Sequence, residues 1–275
     1  MTVSTCGNCG GLVEPDAKRC TQCGRLYPAL FGLRPLLDRM FPLGSHLSKP
    51  LVMALVAIYL VTVLISQKLV GSSEGGLSSF SPDGRILVLT GAHYTPFILE
   101  QGQWWRLITA CFLHGNLMHI LFNGVALYQL GPLIEEAYGP ARFAILFVLT
   151  GIVGNLVSLP FVGLSVGASG ALFGMIGAAI AYGKRRGGTH GQLIRDYGIR
   201  WLVFGLVFGF LFPGINNYAH AGGALAGFAL AWTFDVYRVN RGRESDGARF
   251  GALACGLAVL ISFGFTIQFA LTELR

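Results

Sequence analysis

The sequence predicts an all-α polytopic membrane protein, a bundle of seven transmembrane helices preceded by a small four-cysteine module. Three observations predict it. Hydrophobic residues make up 53% of the 275 and charged residues only 12%, about half the charged share of a soluble domain. Too few charges remain to cover a water-facing surface. Apolar runs recur along the chain at close to the ~20 residues that span a bilayer core. Glycine, at 39 residues, is abundant enough to let such helices approach closely. Disorder is excluded for most of the chain, because disordered segments are poor in aromatics and this chain carries 20 Phe.

The elements follow in order. Residues 1–27 form a polar, Cys-bearing module with no apolar centre of the kind a signal peptide needs. Residues 28–49 are a linker carrying Arg34, Arg39 and Lys49. The first apolar run covers 51–70, and a Gly/Ser-rich stretch and a mixed segment lead to Arg106. Further runs fall at about 107–130, 141–162, 167–182, 201–219, 219–237 and 250–271. The turn Pro213-Gly214-Ile215-Asn216-Asn217 divides the fifth from the sixth. The chain thus divides into the module, the linker, a six-helix core over 50–238, and a loop with a seventh helix over 239–275. The fourth run is short: 16 residues rise only about 24 Å, less than the ~30 Å hydrocarbon core. A helix that starts below the membrane surface leaves a cavity above its N-terminus. No internal repeat is evident, and the helix interruptions do not pair up as an inverted-repeat transporter requires.

The net charge of +7 reads as topology and requires no nucleic acid. With the N-terminus in the cytoplasm and seven spans, 16 of the 20 Lys and Arg fall on the inner side, including the cluster Lys184-Arg185-Arg186. Only Lys68, Arg85, Arg106 and Arg275 fall outside. The positive-inside rule selects this orientation and puts the C-terminus outside.

Cys6-Gly-Asn-Cys9 and Cys20-Thr-Gln-Cys23 are two Cys-x-x-Cys knuckles, each followed by Gly. Four thiolates satisfy a tetrahedral zinc ion and leave no open coordination position, the pattern of a structural site. A module this small has little core, so metal binding would supply most of its folding energy. A redox dithiol or a pair of disulfides is the competing reading, disfavoured on the cytoplasmic side. Such a module is a candidate docking point for a protein partner or a regulatory element for the rest of the chain. Cys111 and Cys255 lie in apolar runs and read as small buried hydrophobes.

Polar residues inside spans are costly and usually functional. The second run holds His114, His119 and Asn123, and the last two, four apart, share a helix face. The fourth opens with Gly167-Ala168-Ser169-Gly170, which puts Ser169 at a helix N-terminus where unpaired amides stabilise an anion. On its own, Gly-x-Ser-Gly is better explained by helix packing. The sixth run holds His220, followed by Gly223 and Gly227, a smooth face for close packing. If that face meets the fourth helix, His220 reaches Ser169 and can act as its base. No carboxylate in the outer half of these spans could orient His220, so the arrangement implied is a dyad. Asn123 and His119 are then placed as oxyanion donors beside the Ser169 amide.

Taken jointly and in this order, Trp105-Arg106, His114, His119, Asn123, Gly131, Glu135, Gly167-Ala168-Ser169-Gly170 and Ala219-His220 with Gly223 and Gly227 resemble the rhomboid intramembrane serine proteases. The resemblance implies Ser169 as nucleophile, His220 as base, and His119 and Asn123 at the oxyanion site. His114 and Gly167 would line the site, and Phe173 takes the family's aromatic position beside the catalytic His. Arg106 and Glu135 are read as structural. It further implies hydrolysis of membrane-protein substrates with transmembrane segments, in or near the bilayer, without a metal in the chemistry. The zinc ribbon lies outside the shared core, and the seventh helix resembles the peripheral extra helix of six-plus-one members. Two rival readings are a catalytically inactive rhomboid-like client-binding protein and a transporter or channel using the His/Asn cluster as a polar pathway. The first must explain why both Ser169 and His220 are present; the second leaves Gly-Ala-Ser-Gly unexplained.

Overall fold

A computed structural model describes residues 4–5, 11–14, 17, 19–22, 46–71, 76–234 and 245–275. Seven long helices dominate the described residues: α1 Ser48–Val70, α2 Leu117–Tyr138, α3 Pro140–Ser158, α4 Ser169–Arg186, α5 Gly188–Leu211, α6 Asn217–Thr233 and α7 Asp246–Glu273. Of these, α1, α2, α3 and α7 are long and apolar enough to cross a membrane by length and composition. The other three deviate for visible reasons. Helix α4 ends in Lys184-Arg185-Arg186, α5 carries Arg195, Asp196 and Arg200, and α6 has 17 residues.

The bundle is built around α4, which packs against α6, α5, α3 and α2. Its sequence explains the position: Gly and Ala recur from Gly170 to Gly183, and nearly every residue there is buried. Added methyl groups on Gly223 and Gly227 would run into the carbonyls of Gly170 and Gly174, and one on Gly177 into that of Ala224. Helices α4 and α6 therefore touch backbone to backbone, as the Gly-x-x-x-Gly pair predicts. Helix α1 packs on α2 and α7 on α3. Outward faces carry large apolar side chains such as Met53, Leu64, Phe210 and Leu260, all exposed, as a lipid-facing surface requires.

Two buried charges hold element ends. Glu135, on α2, accepts from the backbone amides of Leu47 and Ser48 and from Ser48 Oγ at 2.7 Å. It thereby satisfies otherwise unpaired amides at the N-terminus of α1. Arg106, in the segment that links α1 to α2, is fully buried, donating to Gln103 Oε1 at 2.6 Å and to the carbonyls of Val88 and Ala92. Its guanidinium lies over Phe97 and over Phe269 of α7. Both residues act structurally, in line with the sequence reading. Helix α2 ends at Gly139, whose φ of +88° favours glycine, and Pro140 opens α3 at once.

Two sequence boundaries need correction. The second span does not start near 107. Residues Arg106–Thr109 and Ala110–Phe112 form separate short turns, and α2 starts only at Leu117, capped by Asn116. Leu107, Ala110, Cys111, Phe112 and Leu113 are buried inside the protein, and hydropathy alone cannot distinguish that burial from burial in lipid. The fifth helix starts at Gly188, where the sequence suggested about 201, and ends at Leu211. Its first turns are polar, so an apolar-run criterion misses them. The expected loop over 183–200 shrinks to a tight link at Gly187 between α4 and α5. The extra helix α7 does sit at the periphery, yet it is tied in: Trp105 stacks on Phe265, and Phe112 and Phe97 meet Phe263 and Phe269 edge-on.

At the N-terminus, β1 Ser4–Thr5 pairs antiparallel with β2 Leu12–Val13. Cys20 is buried against Val13 and Ala17. Cys6, Cys9 and Cys23 lie outside the described residues, so the geometry leaves the four-thiolate reading untouched. A second small pair, β3 His93–Tyr94 with β4 Leu164–Ser165, fastens the segment after α1 to the link between α3 and α4.

Candidate active site

Ser169 is the first residue of α4, and His220 lies in the first turn of α6. The backbone contact between these helices brings Ser169 Oγ to 2.9 Å from His220 Nε2. His220 is buried, whereas Ser169 keeps partial exposure. A neutral imidazole at this distance accepts the serine hydroxyl proton in a hydrogen bond. His220 Nδ1 has no hydrogen-bond partner among the described residues. Its ring is held instead by Phe173, one turn along α4, stacked at 4.0 Å between centroids and 8° between planes. Phe173 is itself backed by α5, where a methyl group on Gly205 would sit 2.5 Å from its ring. The imidazole is thus oriented by a flat aromatic contact where a triad would use a carboxylate.

The opposite wall comes from α2. The side chain of Asn116 accepts from the amide of His119, so the helix starts just ahead of the polar residues. His119 and Asn123 both face Gly167: a methyl group there would lie 2.5 Å from His119 Nε2 and 3.4 Å from Asn123 Nδ2. Gly167 has φ of +125°, a conformation L residues rarely adopt, and its amide donates to the Ala110 carbonyl at 2.9 Å. Asn123 Nδ2 is buried with no partner among the described residues, an unspent donor beside Gly167, two residues before Ser169. Such an orphan is costly unless something else accepts from it. His114 lies ahead of α2, outside the helix where the sequence reading put it. It is fully buried, with its ring edge-on to His119 at 5.1 Å.

The structure therefore brings Ser169, His220, Phe173, Gly167, His119, Asn123 and His114 into one constellation. Sequence reading missed its supports. Asn155 on α3 donates to the Leu107 carbonyl at 2.9 Å and reaches Cys111 Sγ at 3.4 Å, holding the segment that presents Ala110. Asn216 caps α6 by accepting from the Ala219 amide. An Asn just ahead of each polar helix was the available signal for the caps at Asn116 and Asn216.

Comparison with known proteins decides the family. Residues 101–236 match the Rhomboid domain. The chain is 33% identical over 211 residues to Rhomboid-like protease 3 of Toxoplasma gondii, covering 72% of this chain and 73% of that one. The chain belongs to the rhomboid family. Rhomboid-like protease 1 of the same organism is 32% identical over 227 residues, covering 78% of this chain and 73% of its own length. Rhomboid protease GluP of Bacillus subtilis is 37% identical over 157 residues, 55% of this chain but only 30% of that longer relative. Membership makes this rhomboid an integral membrane protein and a serine hydrolase of the intramembrane protease class. The matched region contains every residue of the constellation and excludes the N-terminal Cys module.

Proposed function

We propose that this chain is an endopeptidase in which Ser169 is the nucleophile and His220 its general base. The 2.9 Å approach of Ser169 Oγ to His220 Nε2 carries the reading. Ser169 Oγ attacks the scissile carbonyl carbon while its proton passes to His220 Nε2. The carbonyl oxygen becomes an oxyanion that accepts from Asn123 Nδ2, the His119 ring and the Ser169 amide. His220 then gives its proton to the departing amine, leaving an acyl-enzyme on Ser169. Water, deprotonated by His220, hydrolyses that ester and regenerates the serine. The unpartnered Asn123 donor supports the oxyanion assignment, and the stacked Phe173 supports a dyad.

The substrates are membrane proteins with transmembrane segments, cut near the outer membrane face, where the N-termini of α4 and α6 would open. The orientation follows from the basic residues, with the N-terminus in the cytoplasm and the C-terminus outside. Cys6, Cys9, Cys20 and Cys23 would hold one structural zinc ion. The antiparallel pair flanking residues 6–11 and the buried Cys20 are consistent with such a ribbon. The ribbon is a docking module for a cytoplasmic partner, and zinc takes no part in the hydrolysis.

The test is labelling of purified protein with a fluorophosphonate probe, alongside cleavage of a transmembrane substrate. Wild type should label and cleave. Ser169→Ala should do neither, and His220→Ala should lose nearly all of both, with helix content unchanged. Normal cleavage by Ser169→Ala would overturn the nucleophile assignment, and wild type that neither labels nor cleaves would leave the inactive, client-binding reading.

A further inference from the structure

The glycine contact between α4 and α6 sets how close the two helices lie, but it leaves two degrees of freedom weakly held. Faces made of Gly have no side-chain knobs, so they resist sliding and rotation poorly. A hydrogen bond at 2.9 Å between Ser169 and His220 tolerates little of either, since such a bond is largely lost beyond about 3.5 Å. Something must hold the outer ends of the two helices in register.

We infer that Asn216 is the positioning residue that yokes the nucleophile-bearing helix to the base-bearing helix, through Ser165. Its side chain divides its two polar atoms between them. Oδ1 accepts from the Ala219 amide at 3.0 Å, one residue before His220, and the Asn216 carbonyl accepts from the His220 amide itself at 3.2 Å. Nδ2 donates to Ser165 Oγ at 3.0 Å, four residues before Ser169. Ser165 is no loose end. It lies in β4, paired with His93 of β3. The same strand link is fastened by the Thr95 amide donating to the Gly163 carbonyl at 2.9 Å and Thr95 Oγ1 to the Val162 carbonyl at 2.7 Å. Two residues further on, Gly167 is tied to Ala110. The approach to Ser169 is thus anchored to the outer segment on one side and, through one asparagine, to the start of α6 on the other. A displacement of about 1 Å at the reacting atoms can cost as much as a hundredfold in rate, so breaking the yoke acts on Ser169 reactivity without touching substrate.

The inference rests on the Ser169–His220 reading, and the experiment keeps the two apart. The rate of fluorophosphonate labelling of Ser169 is measured with thermal unfolding in the same detergent. Ser165→Ala removes the yoke and leaves the α6 cap. Labelling should slow by about 10- to 100-fold with the unfolding midpoint nearly unchanged. Asn216→Asp keeps an acceptor for the Ala219 amide and offers a carboxylate to which Ser165 Oγ–H can donate. It should label within about threefold of wild type, but as slowly as Ser165→Ala when the two changes are combined. Wild-type protein that fails to label refutes the dyad reading itself. If wild type labels and Ser165→Ala labels equally fast, the yoke is refuted while the dyad stands. Slowing in Ser165→Ala that merely tracks a lowered unfolding midpoint, or Asn216→Asp as slow on its own as Ser165→Ala, also refutes it.

Discussion

Asn123 carries a buried amide donor with no partner among the described residues, set 3.4 Å from where a Gly167 side chain would begin. In a resting protein that arrangement wastes a hydrogen bond; under the proposed mechanism it is spent when charge develops on the substrate carbonyl. Replacing Asn123 by Ala should therefore lower turnover by about ten- to a thousandfold, the range for one oxyanion donor, with folding unharmed because that donor has no bond to lose. His119→Ala should act in the same direction and no more strongly, since several donors share the charge. Steady-state cleavage of a transmembrane substrate measures both, and full activity in the double variant would remove them from the mechanism. At this scale His220, His119 and Asn123 were legible in the sequence because ionisable and amide side chains are rare inside apolar runs, and Ser169 only jointly with them. Asn155, Asn216 and Ser165 were not, because what they do depends on which carbonyl or hydroxyl the fold delivers to them.

Among the elements, the contact of α4 with α6 decides whether there is an active site. Gly227 illustrates the constraint. A methyl group there meets the backbone carbonyl of Gly174, and a backbone atom in the middle of a helix cannot rotate away as a side chain could. Gly227→Ala should force the helices apart, costing about 1–3 kcal/mol of stability and slowing probe labelling of Ser169 as the dyad opens. Gly264→Ala, in α7, is the matched control, since a methyl group there meets nothing within 4 Å. It should match wild type or be more stable by up to about 1 kcal/mol, the helix-interior difference between Gly and Ala. Thermal unfolding and labelling on the two variants check both statements, and equal behaviour would show that close packing at Gly227 is dispensable. Helix existence was readable from apolar run length. Helix ends were readable only where a cap or a Gly–Pro pair marked them, as at Gly139-Pro140. Where buried loop and lipid-facing helix share one composition, as over 107–116, hydropathy ran through the boundary.

For the whole molecule, the proposed sidedness rests on the basic residues and the proposed zinc on the Cys module. Accessibility mapping with single cysteines should find residues 1–45 and 238–249 on the cytoplasmic side, and 71–103 with Arg275 on the other. A reporter after Arg275 that reads as cytoplasmic would invert the protein or remove α7 as a span. Replacing Cys6 and Cys9 by Ser should release about one zinc per chain, because a four-thiolate site does not survive the loss of two ligands. Probe labelling of Ser169 should persist in that same preparation, since the two sites would lie on opposite faces of the bilayer. Loss of labelling with the membrane helices still folded would show that the module controls the active site across the membrane.

Composition alone settled that the chain lives in a bilayer, because 12% charged residues cannot clothe a water-soluble surface of this size. Spacing alone nominated the chemistry, because a serine at a helix start, a histidine beside a Gly-x-x-x-Gly pair and a His/Asn face have little reason to coexist in apolar helices otherwise. Distance and orientation belong to the tertiary structure. Residues 169 and 220 are separated by 51 positions, and nothing local specifies that two Gly-lined backbones will touch, that Phe173 will lie flat on His220, or that Asn216 will reach Ser165. Those outcomes follow from packing α4 among four neighbouring helices at once, a many-body condition that local periodicity and hydropathy do not encode.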